Sequence, residues 1–287
     1  MRILITGANG QLGQDFQKLF TKKNIEFFPT DFGTDIEDLD ITDRDAISKY
    51  IQDKKIELIV NCAAYNAVDN AETDKEMAFK INGEAVKNLA LEASKSMIDL
   101  VHYSTDFVFD GKKGSSYTTD DLPSPLSQYG KSKLQGEHHV INLHTKYFLI
   151  RTSWVFGLGN VNFVKKVINW SKGRTELSIV TDQISSPSYT VDLATATLEL
   201  IKAKAYGFYH MTNSGVCSRY EWAKYILEQI RWKGELKEAK SSDFQTAAQR
   251  PEYSALDNSS LKEIIGYDLP NWKDATKRFL QELGYST

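Results

Sequence analysis

Residues 2–13 read RILITGANGQLG. A short apolar run rich in β-branched residues is followed by Gly7, Gly10 and Gly13, and then by Leu12, Phe16, Leu19 and Phe20 at helical intervals. The order is strand, glycine turn, helix. A glycine at the turn allows a tight reversal, a second lets the backbone come close to a bound pyrophosphate, and a third lets the helix pack against the strand. The helix N-terminus presents free N–H groups and a positive dipole end to anionic groups. Directly after a first strand, this pattern reads as a dinucleotide-binding turn. We assign Gly7, Asn9, Gly10, Gln11, Leu12 and Gly13 to the cofactor site.

The alternation continues. Strand patterns at 25–31, 56–61, 98–104 and 147–152 are separated by helical patterns at 44–54, 74–95 and 127–143. Strands alternating with helices make βαβ units, and right-handed crossovers wind them into a parallel sheet covered on both faces. The expected fold class is α/β: a Rossmann-type doubly wound parallel sheet with a smaller C-terminal substrate-binding lobe. Residues 1–157 are expected to form the NAD(P)-binding Rossmann domain and 158–287 mainly the lobe. Elements near 190–212 are expected to return to the sheet. The stretch 233–271 shows no clear period, and the acidic run Asp35 to Asp40 reads as a solvated loop.

The chain's 287 residues suffice for such a unit, and 25% charged residues with a net charge of −3 give no bulk attraction to nucleic acid or an anionic membrane. No run approaches the ~18 apolar residues of a membrane span, and the opening strand is no signal peptide. Cys62 and Cys217 make no disulfide framework and read as small buried residues. A cytoplasmic enzyme is expected. The five histidines lack metal-ligand spacing, so no metal is expected from them.

Asp31 ends the second strand, 24 residues after Gly7, in a place that fits an acid on the adenosine ribose. A carboxylate there repels a 2′-phosphate, and TDFGT (30–34) offers no basic partner. This favours NADH over NADPH. A turn-capping role for Asp31 stands as the alternative.

Tyr129 and Lys133 form Tyr-x-x-x-Lys at the start of a helical pattern, on one helix face. An unassisted tyrosine, with a pKa near ~10, is a poor acid–base group at neutral pH. A nearby ammonium is expected to stabilise its phenolate. Such a tyrosine gives a proton to a carbonyl oxygen. Ser104 or Thr105, at the end of the preceding parallel strand, supplies a hydroxyl to the same carbonyl. Small residues 62–64 after the third long strand let a flat cofactor lie close to the backbone. Trp154 forms an apolar wall under a sugar ring or belongs to the core. Arg250 pairs with a diphosphate or with a surface acid.

The motifs GANGQLG, LDITD (39–43), NCAAYNAVDNAE (61–72), STDFVFDG (104–111), YGKSKLQGE (129–137), RTSWVFG (151–157) and RPEYS (250–254), in this order, resemble the dTDP-4-dehydrorhamnose reductases. These belong to the extended short-chain dehydrogenase/reductases. The resemblance spans residues 1 to about 260. It implies NAD(P)H-dependent reduction of the C4 ketone of dTDP-4-dehydro-β-L-rhamnose, the last step of dTDP-rhamnose synthesis, by a monomer or homodimer.

By that resemblance Tyr129 is the proton donor, Lys133 orients the ribose and Thr105 is the hydroxyl partner. Asp40, Ile41, Cys62, Ala63, Ala64 and Tyr65 join the cofactor site. Val68, Asp106 and Trp154 line the sugar site, and Arg250 faces the nucleotide end. Phe107 stands where tyrosine is common, Ser185 and Ser188 replace glycine and threonine, and Arg219 replaces an aromatic. Some relatives dimerise around Mg²⁺ held by glutamates, for one of which Asp15 is a shortened counterpart. Two other readings stay open. One is a nucleotide-sugar epimerase or dehydratase, to which Asp106 beside Thr105 would be relevant. The other is a non-catalytic nucleotide-binding regulatory subunit.

Overall fold

The computed structural model describes residues 1–286. The first half runs β1 (Arg2–Thr6), α1 (Gln11–Lys22), β2 (Glu26–Asp31), β3 (Glu37–Asp38), α2 (Arg44–Lys54), β4 (Leu58–Asn61), α3 (Lys75–Phe79), α4 (Ala85–Ser96), β5 (Asp99–Thr105), α5 (Gln128–Leu143) and β6 (Tyr147–Thr152). The second half runs β7 (Val155–Phe156), α6 (Phe163–Ser171), β8 (Glu176–Val180), β9 (Ile184–Ser185), β10 (Ser188–Tyr189), α7 (Thr190–Ala203) and β11 (Gly207–His210). It continues with β12 (Cys217–Ser218), α8 (Arg219–Gln229), β13 (Glu235–Ala239), α9 (Ser259–Ile265) and α10 (Trp272–Glu282).

Seven parallel strands form one sheet in the order β11-β6-β5-β4-β1-β2-β3. The α/β doubly wound fold is therefore present, and β11 joins the sheet beside β6. The order reverses between β1 and β4, where ligands of such sheets bind beyond the strand ends. Both faces are covered, so β1 is apolar at successive positions. Ile3 and Ile5 pack with Phe16 and Phe20 of α1 and with Leu193 and Leu200 of α7. Leu4 faces Ile47 and Ile51 of α2 and Leu89 of α4. A separate core of Phe156, Val164, Ile168, Trp222 and Phe279 holds the C-terminal elements, with β8 and β13 paired in a two-stranded sheet.

Three expectations change. The acidic run 35–40 contains β3, an edge strand that pairs Asp31 with Asp38 through the sheet register. The helical pattern 74–95 is broken by a π-helical turn at Lys80–Glu84. The stretch 233–271 holds β13 and α9. Among the described residues, no helix is long and apolar enough to cross a membrane.

Candidate active site

Three connected clefts lie beyond the C-terminal ends of the sheet strands. The turn-side cleft, about 570 Å³, is lined by Gly7, Asn9, Gly10, Asp31, Asp40 and Ile41, with Cys62, Ala63, Ala64 and Tyr65 on the opposite wall. Gly7 sits at φ +65°, and a Cβ there would lie 2.5 Å from the Ala63 nitrogen. The chain must therefore have glycine where β1 turns against the backbone that follows β4. Gly10 N-caps α1 without any side-chain cap, and the first turn of α1 carries no acid. An uncapped helix start beside small residues 63–64 suits an anionic pyrophosphate. A dinucleotide thus fits this cleft. Gly13 lines none of the three clefts: its Cβ would meet the Gly7 oxygen at 2.6 Å, so its smallness serves helix-on-turn packing rather than ligand contact.

Asp31 reaches the cleft with both carboxylate oxygens engaged. Oδ2 accepts from the Asn9 N–H at 3.0 Å and Oδ1 from the Phe32 N–H at 2.9 Å. The turn-capping contact exists, and the carboxylate still has lone pairs facing the cleft. Behind residues 62–64, buried Asn61 accepts from Thr6 and from the Ala63 N–H, and approaches His102.

The central cleft, about 410 Å³, continues from the first past Gln11, Leu12 and Cys62–Ala64. It brings together Val68, Thr105, Asp106, Tyr129, Lys133, Trp154 and Arg250. Helix α5 delivers Tyr129 and Lys133. Ser127 caps it by accepting from the Gly130 N–H. Gly130 lets it start against the chain after β5, since a Cβ there would lie 2.3 Å from the Phe107 oxygen.

Thr105 ends β5 and donates to Asp106 Oδ1 at 3.1 Å. It also lies close enough to Tyr129 to act on its phenol. The Tyr129 hydroxyl donates to Asn66 Oδ1 at 3.5 Å. Burial raises the Tyr129 phenol to about 12, with Asp106 adding to the rise and Thr105 opposing it. The expected lowering by Lys133 is therefore absent. The ammonium instead donates to the Tyr103 carbonyl at 2.6 Å. Burial pushes Lys133 down to about 8, opposed by Glu137. Burial also raises Asp106 to about 6, although Ser254 donates to it at 2.5 Å and Ser185 at 3.4 Å.

Trp154 adopts φ +46°, a left-handed conformation unusual for a bulky residue. Its ring stacks on Trp222 at 5.8 Å and is covered by the Arg219 guanidinium at 3.6 Å. It therefore belongs to the core and to the cleft wall at once. Arg250 donates to Asp69 at 2.6 Å and to the Ala248 carbonyl at 3.0 Å. The ion-pair alternative is thus realised, on the cleft rim. Beyond Trp154 an outer cleft of about 730 Å³ is lined by Lys166, Trp170, Arg174, Gln183, Arg219 and Phe244 among others.

The sequence reading missed Asn66, Asn160 and most of the outer-cleft residues. Asn66 lay inside a quoted motif, whereas the outer-cleft cations are single residues without a pattern. Asp15 is buried, accepts from Thr190 at 2.5 Å and pairs with Lys18 at 3.0 Å. No group of three or more His, Cys, Asp or Glu side chains able to hold a metal occurs among the described residues.

The family model described as RmlD substrate binding domain matches residues 1–285. The dTDP-4-dehydrorhamnose reductase of Aggregatibacter actinomycetemcomitans is 35% identical, over 96% of this chain and 97% of its own length. A crystal structure of such a reductase from Clostridium acetobutylicum is 42% identical with a TM-score of 0.94, covering 99% of this chain and 100% of that one. One from Bacillus anthracis in complex with NADP is 37% identical with a TM-score of 0.92, covering 98% and 99%. With its fold, cleft residues and nearly full-length matches in agreement, the chain belongs to the dTDP-4-dehydrorhamnose reductase family.

Proposed function

We propose that the chain reduces the C4 ketone of dTDP-4-dehydro-β-L-rhamnose to dTDP-L-rhamnose with a reduced nicotinamide cofactor. The observation that carries this reading is the meeting of Thr105, Tyr129 and Lys133 in one cleft. That cleft opens on one side to the glycine turn and on the other to a cation-rich pocket. Relatives named for this reaction match along the whole chain.

In this reading residues 1–157 chiefly hold the cofactor and 158–287 chiefly hold the substrate. Gly7–Leu12 and residues 62–65 cradle the dinucleotide, and Asp40 and Ile41 border its adenine. When bound, the reduced nicotinamide supplies a hydride to the carbonyl carbon. Tyr129 starts as a neutral phenol and gives its proton to the carbonyl oxygen. The Thr105 hydroxyl steadies that oxygen and the phenolate left behind. Lys133, still largely protonated near neutral pH, holds the cofactor ribose and offsets the phenolate charge. Val68, Asp106 and Trp154 border the sugar. Solvent restores the Tyr129 proton after each turnover.

Asp31 favours NADH, because its carboxylate would repel a 2′-phosphate and no residue from 30 to 34 is basic. A cytoplasmic location and a monomer or homodimer belong to the same proposal. The test is oxidation of NADH and NADPH, in parallel, by purified protein supplied with dTDP-4-dehydro-β-L-rhamnose. Turnover should require the keto-sugar and run faster with NADH. Tyr129→Phe should retain nicotinamide binding and lose 10²–10⁴-fold in kcat, the usual range for general-acid help. No oxidation of either cofactor by folded protein, or near-native turnover by Tyr129→Phe, would refute the reading.

A further inference from the structure

Arg219 opens α8 with its guanidinium clamped between rings, 3.6 Å over Trp154 and 4.6 Å from the centroid of Phe163. Arg44, Arg151, Arg250 and Arg278 each sit on a carboxylate. Arg219 has no carboxylate within ion-pair distance among the described residues. Burial works against its charge, Asp106 attracts it from a distance, and Arg250 repels it. Asp106 is already engaged by Thr105, Ser254 and Ser185. The ring contacts satisfy none of its five N–H donors. Arg219 also lines both the central cleft, with Thr105 and Tyr129, and the outer cleft, with Lys166 and Arg174.

A planar, charged fork packed against the Trp154 and Phe163 rings matches two phosphate oxygens. Its place is the passage between the two clefts. Arg250, the other arginine there, already spends donors on Asp69 and on the Ala248 carbonyl. We propose that Arg219 is the primary anchor for the diphosphate of the substrate, setting the reach from the nucleoside in the outer cleft to the sugar carbon beside Tyr129. This rests on the nucleotide-sugar reading above. Arg250 then serves to hold Asp69 and the 248–250 segment along the rim.

The test is calorimetric titration of dTDP and of thymidine into the cofactor-loaded wild type, Arg219→Met and Arg219→Lys. Arg219→Met should weaken dTDP by roughly 10–100-fold, the loss of a charge-assisted bidentate contact. Thymidine affinity should stay within about twofold. KM for the keto-sugar should rise by a similar factor while kcat holds within about threefold. A merely structural arginine would lower the melting temperature on removal. A binding arginine that lacks a carboxylate partner should leave it unchanged or raise it. Arg219→Lys keeps the charge but not the fork and should lose roughly tenfold in dTDP affinity, and it decides the matter if the methionine variant fails to fold. Equal dTDP binding by wild type and variants, or a parallel loss of dTDP and thymidine, overturns this proposal alone. A wild type that binds no dTDP overturns the substrate reading and this proposal together.

Discussion

Replacing Asp106 by asparagine should stabilise the protein, and by an amount that depends on pH. The carboxyl is buried and moves from 3.8 to about 6 because burial penalises its charge. Between those two values the native state binds more protons than the unfolded chain. Native stability therefore falls as pH rises through that window. The penalty is absent below about pH 3.8 and complete above about pH 6. Its full size is roughly 3 kcal/mol.

Asparagine fits the same hydrogen bonds. The amide oxygen can accept from Ser254 and Ser185, as Oδ2 does now. The amide nitrogen can donate to the Thr105 hydroxyl, which now donates to Oδ1. For a chain of this length a gain of 1 kcal/mol raises Tm by about 2 °C. Asp106→Asn should therefore melt about 6 °C higher at pH 8. At pH 5, where the penalty is only partly developed, the gain should shrink to about 3 °C. Thermal melts of both proteins across that range measure the difference directly. A difference that stays constant with pH, or a variant less stable than wild type at pH 8, would show that the buried carboxylate is not the penalised group.

Gly10→Ala and Gly7→Ala should separate binding from folding. A Cβ on Gly10 meets only the Gly7 oxygen, at a tight 3.1 Å, so melting should fall less than for Gly7→Ala while nicotinamide-cofactor affinity falls at least tenfold. Gly7→Ala puts a Cβ into the Ala63 backbone at positive φ and should lose more than ~1 kcal/mol of stability. Equal melting by the two variants would contradict this division. Glu137→Gln leaves the buried Arg151 guanidinium without its bidentate partner and should cost about 3–5 kcal/mol in a denaturant titration. It also removes the charge that raises Lys133, so any step of the pH–rate profile near pH 8 that belongs to Lys133 should move to lower pH. A step that stays in place would detach Lys133 from that profile.

The frame of the fold was legible because parallel strands covered on both faces leave plain apolar runs, and because Gly7 marks the one turn where β1 must meet the backbone after β4. The reacting trio was legible because its spacing places it on one helix face and one strand end. Other parts were hidden for physical reasons. Strand β13 reads ELKEA and lies exposed in a two-stranded sheet, so no buried face imposes alternation. The π turn at Lys80–Glu84 carries Asn82, whose amide bonds the Tyr65 backbone through both its groups and also reaches Ser132. That is a tertiary demand with no periodic signature. The raised Tyr129 phenol could not be read from Tyr-x-x-x-Lys, because spacing gives proximity but not the direction in which the ammonium points. Arg219 looked like a lone charge at a helix start, and only the rings that clamp it distinguish it.

The spacing on α5 extends one step beyond the tyrosine and lysine. Tyr129, Lys133 and Glu137 recur at intervals of four and share a helix face, all of them buried. A lysine so placed tends to lose its proton, since burial penalises the ammonium. His102 and Cys62 also face it, and burial keeps both neutral near pH 7, His102 well below its ordinary value and Cys62 well above. His102 therefore contributes no charge to hold the proton on Lys133. Glu137 supplies the opposing charge. Arg151 reaches over from β6 and holds the Glu137 carboxylate with bonds of 2.8 and 2.6 Å. Arg151 is held in turn between Phe109 at 4.9 Å and Phe208 at 4.5 Å. The carboxylate that opposes loss of the Lys133 proton is thus positioned by a residue of the neighbouring strand and by ring packing from β11. The last strand of the sheet thereby belongs to the electrostatics of the site, although it contributes no residue to the central cleft.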